Sequence, residues 1–360
     1  MRALITGGGG FLGRRLAEML GASGAEVRVL GRQPYPDLVR QGVDCRQGDV
    51  CDLAACQRAC ADRDVVFHAA AMAGVWGPRR RFLETNVKGT ANILRACLEN
   101  KVGALVYTSS PSVVIGSADI AGGDESLPYP AHYLAAYPES KAVAERMVLA
   151  ADGWEMVPNE PAAYGLNHGE NDVRHLRTCA LRPHLIWGPG DQHLLPRIVR
   201  AARTGHLARI GRGNPRVDIT YIDNAAQAHL LAARDLAGPA RSGGKAYFIG
   251  DDEPVVLWDW INTVLARLEL PPVQRRLPLW LARGLAVSLE ALHTAIPALG
   301  EPRLTRFTVA QLGQSHWFSH RRAADDLGYH ALVGPAEGLD RLIARLRSEA
   351  APRGGLPKIP

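Results

Sequence analysis

Short apolar runs alternate along the first half of the chain with longer stretches whose apolar residues recur at helical spacing. The runs Arg2–Thr6, Glu26–Leu30, Asp44–Gln47, Asp64–His68 and Ala104–Ser109 read as strands. Helices are expected from about Phe11 to Leu20, over Leu53–Ala61, from Phe82 to Asn100 and from Tyr137 to about Ala151. Strands alternating with helices at this spacing predict an α/β fold, a doubly wound parallel sheet. Right-handed crossovers then place helices on both of its faces.

Beyond Ala151 the pattern breaks. Asp152–Arg177 is polar, contains proline and glycine, and reads as an excursion or surface loop. A sixth strand over Thr178–Arg182 precedes a turn-rich run at Trp187–Asp191. A helix over Asn224–Asp235 precedes a seventh strand at Lys245–Ile249. The remainder reads as mostly helical, with a basic tail from Ala351. The most apolar long stretch, Leu277–Leu299, contains Pro278, Arg283, Glu290, His293 and Pro297, too many interruptions for a spanning helix. It fits a helix packed in the C-terminal part or one touching a membrane surface. The packed reading is preferred, because apolar stripes are usually core.

Composition changes this picture little. At 360 residues, 47% hydrophobic and 22% charged, the chain can bury a sizeable core without staples. A net charge of +6 is weak evidence for nucleic acid, and none is expected as a partner. It suits an anionic cofactor or substrate, or merely a basic surface. The cysteines at 45, 51, 56, 60, 97 and 179 form no CxxC pair and match no zinc spacing, so they read as reduced structural thiols of a cytoplasmic protein. A glycine-rich turn within the first ten residues argues against a signal peptide. His168, Glu170, Asp172 and His175 fit no standard metal site, and no metal is expected.

Two constellations carry chemistry. Gly7-x-x-Gly10-x-x-Gly13 lies between a strand and a helix, where the unpaired N–H groups of a helix start suit a pyrophosphate. The second strand ends at Gly31-Arg32. An acid would there bind a ribose 2′-hydroxyl. Gly31 instead leaves room and Arg32 can pair with a 2′-phosphate, which favours NADP(H) and leaves NAD(H) open. Asp49 is a candidate for the adenine pocket. In the second constellation, Tyr137 and Lys141 are four apart and share a helix face. A nearby ammonium favours tyrosinate, so Tyr137 can exchange a proton with a carbonyl or alcohol oxygen. Thr108-Ser109-Ser110 ends the fifth strand, at the sheet edge where ligands bind.

With these motifs the sequence resembles the extended short-chain dehydrogenase/reductases, over nearly its whole length. The resemblance rests on Gly7/Gly10/Gly13, Gly48-Asp49, His68–Ala71, Asn86–Thr90, Ser109-Ser110, Tyr137-x-x-x-Lys141, Leu181-Arg-Pro183 and Tyr221–Asn224. The nearer likeness is to the 3β-hydroxysteroid dehydrogenase branch, through Ala73–Gly77, Thr108–Val113, Leu185–Asp191, Val217–Asn224, Lys245–Ile249 and Glu301–Phe307. The chain departs from that branch at Asp152–Arg177, which is longer than usual.

The resemblance implies a Rossmann domain over 1–183, with 216–250 returning to it. A substrate domain would comprise 184–215 and 251–345, with a tail at 346–360. It makes Ser110, Tyr137 and Lys141 catalytic, supported by Asn86. Gly7, Gly10, Phe11, Leu12, Gly13, Arg32, Asp49, Val50, Ala69, Ala70, Ala71, Lys141, Pro183 and Leu185 would bind the cofactor. It also implies reversible hydride transfer on a bulky, hydrophobic ketone or alcohol. Trp76, Ser112, His184 and Trp187 are substrate candidates, Trp317 and Phe318 could rim the cleft, and Arg182, His184 or Arg303 could meet a substrate carboxylate. A homodimer through the helices Phe82–Asn100 and Tyr137–Ala151 is expected, with a larger pathway complex or a peripheral membrane contact as further options. Three other functions stay open: a sterol dehydrogenase, an NAD-dependent nucleotide-sugar epimerase or dehydratase, and a non-catalytic nucleotide-binding scaffold.

Overall fold

The computed structural model describes residues 1–156, 175–192, 194–211 and 213–350. Its main sheet takes in β1 (Arg2–Thr6), β2 (Glu26–Gly31), β3 (Asp44–Gln47), β4 (Val65–His68), β5 (Ala104–Thr108), β6 (Trp154–Glu155), β7 (His175–Pro183) and β8 (Ala246–Ile249). The order is β8-β7-β5-β4-β1-β2-β3, all parallel, with β6 antiparallel on the lower end of β7. The chain winds outward from β1 through β2 to β3, then returns to β1's other side with β4. That reversal opens a crevice above β1 and β4, where such sheets bind ligands.

Alternation along each strand sets both faces. Ala3, Ile5, Val27, Val29, Val65, Phe67, Val106 and Leu181 point to one side and pack under α1 (Phe11–Ala22) and α5 (Ile222–Leu236). Leu4, Leu30, Val66, Leu105, Tyr107 and Ala180 point to the other, under α2 (Leu53–Cys60), α3 (Gly89–Glu99) and α4 (Ala136–Ala150). Cys56, Cys60 and Cys97 lie in this second layer as free thiols, and burial holds the Cys56 thiol up at about 12. The remainder of the described chain is mostly helical. It includes α6 (Leu257–Arg267), α7 (Leu279–Ala295) and α8 (Arg306–Gly313), and a small sheet of Val255–Val256, Arg216–Val217, His316–Phe318 and Ile120–Gly123.

The structure corrects the sequence reading at three places. The helix expected over Phe82–Asn100 is three pieces: a turn at Arg79–Phe82, a π-helical stretch at Leu83–Lys88, and α3. The excursion begins and ends in paired strands, Trp154 against Leu176 and Glu155 against His175. The sixth strand is therefore longer than Thr178–Arg182. His168, Glu170 and Asp172 lie outside the described residues, while the His175 ring sits 3.1 Å from the Gly153 carbonyl. Finally, α7 packs in the C-terminal part as expected, against Ile210 and Val309, but through a narrow face alone: Ala282, Ala286 and Glu290 are its buried residues. No helix among the described residues is long and apolar enough to cross a membrane.

Candidate active site

The glycine turn follows β1 into the crevice. Gly7 has φ +71°, and a Cβ there would lie 2.8 Å from the Ala70 Cα. A Cβ at Gly13 would sit 2.3 Å from the Gly7 carbonyl oxygen. The turn thus closes only with glycine at both places. α1 starts at Gly10 with no side-chain cap and no acid in its first turn, which leaves its N–H groups and positive end for an anion. Phe11, Leu12 and Gly13 form that first turn, and Ala69–Ala71 follow β4 directly opposite. A dinucleotide pyrophosphate fits this cradle. Val50 packs on Gly89, and Asp49 caps its own turn by accepting from the Cys51 N–H at 2.9 Å.

Gly31 is the last residue of β2, and Arg32 beyond it is exposed, with no ionic partner among the described residues. The room expected at Gly31 is taken. The Tyr35 hydroxyl lies 2.2 Å from where a Gly31 Cβ would stand, and the same ring covers Gly9. Arg14 lies 5.8 Å from that ring's centre, bonds the Gly9 carbonyl at 3.1 Å and pairs with Asp37. Sequence reasoning missed Tyr35 and Arg14. The compatible signal was an aromatic and a cation close in sequence to two glycines.

A buried hydrogen-bond chain ties this cradle to α4. His68 Nδ1 meets Thr6 Oγ1 at 2.7 Å, and Nε2 meets Thr90 Oγ1 at 2.9 Å. Thr90 donates its proton to the Asn86 carbonyl at 2.6 Å, so it accepts from His68 Nε2–H. Nδ1 is then bare and accepts from Thr6, which in turn accepts from the Ala70 N–H. One neutral tautomer satisfies every group, and burial holds His68 down at about 3. Asn86 grips Met72 on both its N–H and carbonyl, and donates to Ser140 Oγ at 2.8 Å. Ser140 donates to the Tyr137 carbonyl at 2.8 Å.

Tyr137, Lys141 and Glu145 share one face of α4. Tyr137 is half-buried. Burial raises its hydroxyl above the usual range, and hydrogen bonding with Ser110 pulls it partly back. The expected lowering by Lys141 is not what the site shows. Instead Lys141 is buried, donates to the Thr108 carbonyl at 2.5 Å and lies 4.1 Å from the Tyr107 ring centre. Burial lowers it to about 7, against a partial pull upward from Glu145. Thr108 is itself held by His229, whose Nδ1–H donates to the Ala225 carbonyl and leaves Nε2 to accept at 2.8 Å. Ser110 Oγ lies 2.9 Å from Ser112 Oγ, whereas the Ser109 hydroxyl is buried without a partner.

The remaining candidates divide. Leu185 sits at φ +42°, a left-handed conformation rare for leucine, where the chain leaves β7 after Pro183. Trp76 stands edge-on to His293 of α7, 6.5 Å away. Ser112 is buried and holds Ser110 rather than lining a pocket. Trp187 is fully buried between Tyr221 and Trp260, so it is core and not a cleft wall. Phe318 is likewise buried, stacked on Phe248, while Trp317 is half-buried beneath Arg216. Arg182 is spent on Glu145 in a buried two-point ion pair at 2.7 and 2.9 Å, and cannot meet a substrate carboxylate. His184 is buried and bonds His316 at 2.6 Å, and burial keeps it well below its ordinary range. Arg303 is exposed beside His206. Among the described residues no cluster of His, Cys, Asp and Glu has metal-binding geometry.

A glycine turn at the sheet's reversal point, with a Tyr-x-x-x-Lys helix beside a serine, is the architecture of an extended short-chain dehydrogenase/reductase, an oxidoreductase acting between C=O and CH–OH. The chain belongs to the 3-beta hydroxysteroid dehydrogenase/isomerase family, whose model matches residues 4–279. It is 44% identical over 345 residues to the 2-alkyl-3-oxoalkanoate reductase of Shewanella oneidensis, covering 96% of this chain and 86% of that one. The reductase of the same name from Stenotrophomonas maltophilia is 42% identical, covering 96% and 99%. Human sterol-4-alpha-carboxylate 3-dehydrogenase, decarboxylating, is 33% identical, covering 96% and 88%. A dTDP-glucose 4,6-dehydratase from Streptomyces venezuelae, solved with NAD, superposes with a TM-score of 0.71 at 24% identity over 98% of each chain, a likeness of fold.

Proposed function

We propose that this protein reduces a 2-alkyl-3-oxoalkanoate to the 3-hydroxy acid with NADPH, as a step in making long-chain olefins. The observation that carries the reading is the 44% and 42% identity to two reductases of that name. The name of the human relative points to related chemistry, since a sterol-4-carboxylate oxidised at C3 is also a β-oxy acid. A nicotinamide dinucleotide would lie on Gly7, the start of α1 and Ala69–Ala71, and would supply the hydride. Ser110 and Tyr137 would hold the ketone oxygen, and Tyr137 would give its proton to that oxygen as negative charge develops. A tyrosine held above its ordinary pKa stays protonated at neutral pH, which suits an acid in the reductive direction. Lys141 would orient the ribose. We further propose a homodimer through α3 and α4, whose outer faces line an apolar groove of about 300 Å³ between Leu94, Leu98, Met147 and Trp154.

The direct test follows loss of NADPH, and separately NADH, on adding a 2-alkyl-3-oxoalkanoate. NADPH turnover at the greater kcat/KM supports the reading, and no turnover with either cofactor removes it. Arg32→Ala is expected to raise the KM for NADPH about tenfold, the worth of one charge-assisted hydrogen bond, and to leave the KM for NADH unchanged. An equal change in both would show that Arg32 reads no 2′-phosphate.

Lys141 sets a pH dependence. With its pKa near 7 in the free protein, the ammonium is present below that pH and lost above it. NADPH affinity should therefore be greatest below about pH 7 and fall as pH rises, by at most about tenfold per unit. Fluorescence titration either side of pH 7 measures this. In Lys141→Met the profile should be flat and the affinity lower throughout.

A further inference from the structure

Two glycines beside the cofactor cradle have no backbone reason to be glycine. Neither Gly9 nor Gly31 has a positive φ. Both lie flat against one ring instead. A Cβ at Gly9 would stand 2.0 Å from Tyr35 Cε1, and one at Gly31 would stand 2.2 Å from the Tyr35 hydroxyl oxygen. Any side chain at 31, an acid included, would collide with Tyr35. The hydroxyl therefore stands where an acid at the end of β2 would run toward a ribose 2′-hydroxyl. It meets no hydrogen-bond partner among the described residues.

Charged groups flank the same corner. Arg32 is exposed, and Gln47 donates to its carbonyl at 3.0 Å, which fixes the start of the segment that carries Tyr35. The far end of that segment closes onto α1, where Asp37 pairs with Arg14. Arg14 also donates from Nε to the Gly9 carbonyl at 3.1 Å and lies 5.8 Å from the centre of the Tyr35 ring. Of the five N–H groups on its guanidinium, Gly9 and Asp37 engage two. The Arg14–Asp37 pair is partly exposed on both sides, so it is weak and exchangeable. A phosphate monoester, with nearly two negative charges and three acceptor oxygens, competes for such an arginine better than a single carboxylate does.

We propose that Tyr35 and Arg14 read the cofactor's 2′ position together with Arg32, and that Asp37 is a competitor for Arg14 that sets how strongly NADPH is preferred over NADH. The inference deepens the NADPH part of the function proposed above and rests on it. The Tyr35 hydroxyl and the guanidinium of Arg14 donate to the 2′-phosphate, and Asp37 gives up Arg14 when they do. The test reads binding alone: calorimetric titration of the full chain with 2′,5′-ADP and with 5′-ADP, which differ only in the 2′-phosphate. Wild-type protein should bind 2′,5′-ADP about a hundredfold more tightly, through two or more charge-assisted hydrogen bonds. Arg14→Gln should weaken 2′,5′-ADP by about tenfold, and Tyr35→Phe, which keeps the ring over both glycines, by about threefold. Asp37→Asn should tighten it by about fivefold, because a partly exposed ion pair no longer opposes the phosphate. Affinity for 5′-ADP should stay within about twofold in all three, which also shows that each variant is folded. Wild-type protein that binds the two ligands equally would overturn the proposal. So would any of the three variants that leaves the ratio between the ligands as it was. Reduction of a 2-alkyl-3-oxoalkanoate is read in the separate turnover assay. Protein that binds as stated but turns nothing over would sink the reductase reading and support this one.

Discussion

Tyr137→Phe is expected to lower kcat by about 10²- to 10⁴-fold, the usual contribution of a positioned general acid. The ring keeps its place, because the Ser140 bond holds the Tyr137 backbone carbonyl and not the hydroxyl. Affinity for NADPH should stay within about twofold of wild type, since the proposed cradle is built from Gly7, α1 and the segment after β4. Stopped-flow measurement of a single turnover, beside a cofactor titration, separates the two quantities. Ser110→Ala should cost less, about 10- to 100-fold, because Tyr137 would still reach the oxygen. If Tyr137→Phe turned over at the wild-type rate, the proton would have to come from water, and the role given to this residue would be wrong.

The second large effect is on stability. Arg182 and Glu145 are 3% and 0% exposed and joined by two hydrogen bonds, and Glu145 also accepts from the Tyr129 hydroxyl at 2.6 Å. Removing one partner leaves a buried charge without its counterpart. Arg182→Ala should therefore destabilise the fold by about 3–5 kcal/mol. The double variant Arg182→Met/Glu145→Met should recover most of that loss, because two apolar side chains of similar size no longer need each other. Urea titration of the three proteins measures both. A single variant as stable as wild type would mean that water reaches this pair. The same geometry predicts that Arg182→Ala acts through folding and not through substrate affinity, against the expectation that this arginine meets a carboxylate.

Local signals carried most of the architecture. Ile5 and Leu4, Val29 and Leu30, and Phe67 and Val66 alternate between the two cores, and that period of two is visible in the chain itself. Gly7 and Gly13 were legible because only glycine closes such a turn. What was hidden depended on partners distant in sequence. Arg182 and Glu145 are 37 positions apart, and nothing near either residue reveals the pair. Trp187 was placed at the cleft because aromatics often line one, yet its neighbours Tyr221 and Trp260 enclose it. Apolar content identified α7 as a helix but could not tell which side faces solvent. The Tyr35 ring over Gly9 and Gly31 was missed because the sequence shows the absence of a side chain there and not what fills the space.

The π-helical stretch at Leu83–Lys88 works as a phase shifter between two faces that must point in different directions. Before it, Phe82 faces inward; within it, Asn86 reaches Met72 and Ser140; after it, Ile93, Ala96 and Cys97 lie in the core on the sheet's side. A π-turn holds one residue more than an α-turn, which is about 100° of rotation. Deleting any one residue between Leu83 and Lys88 would leave a regular helix in which these three orientations are incompatible. Either the apolar seam of α3 would turn away from the sheet, or Asn86 would swing off the loop it grips. The spacing of this segment is therefore a timing element, and changing its length by one would be felt first at Met72 and the start of α4.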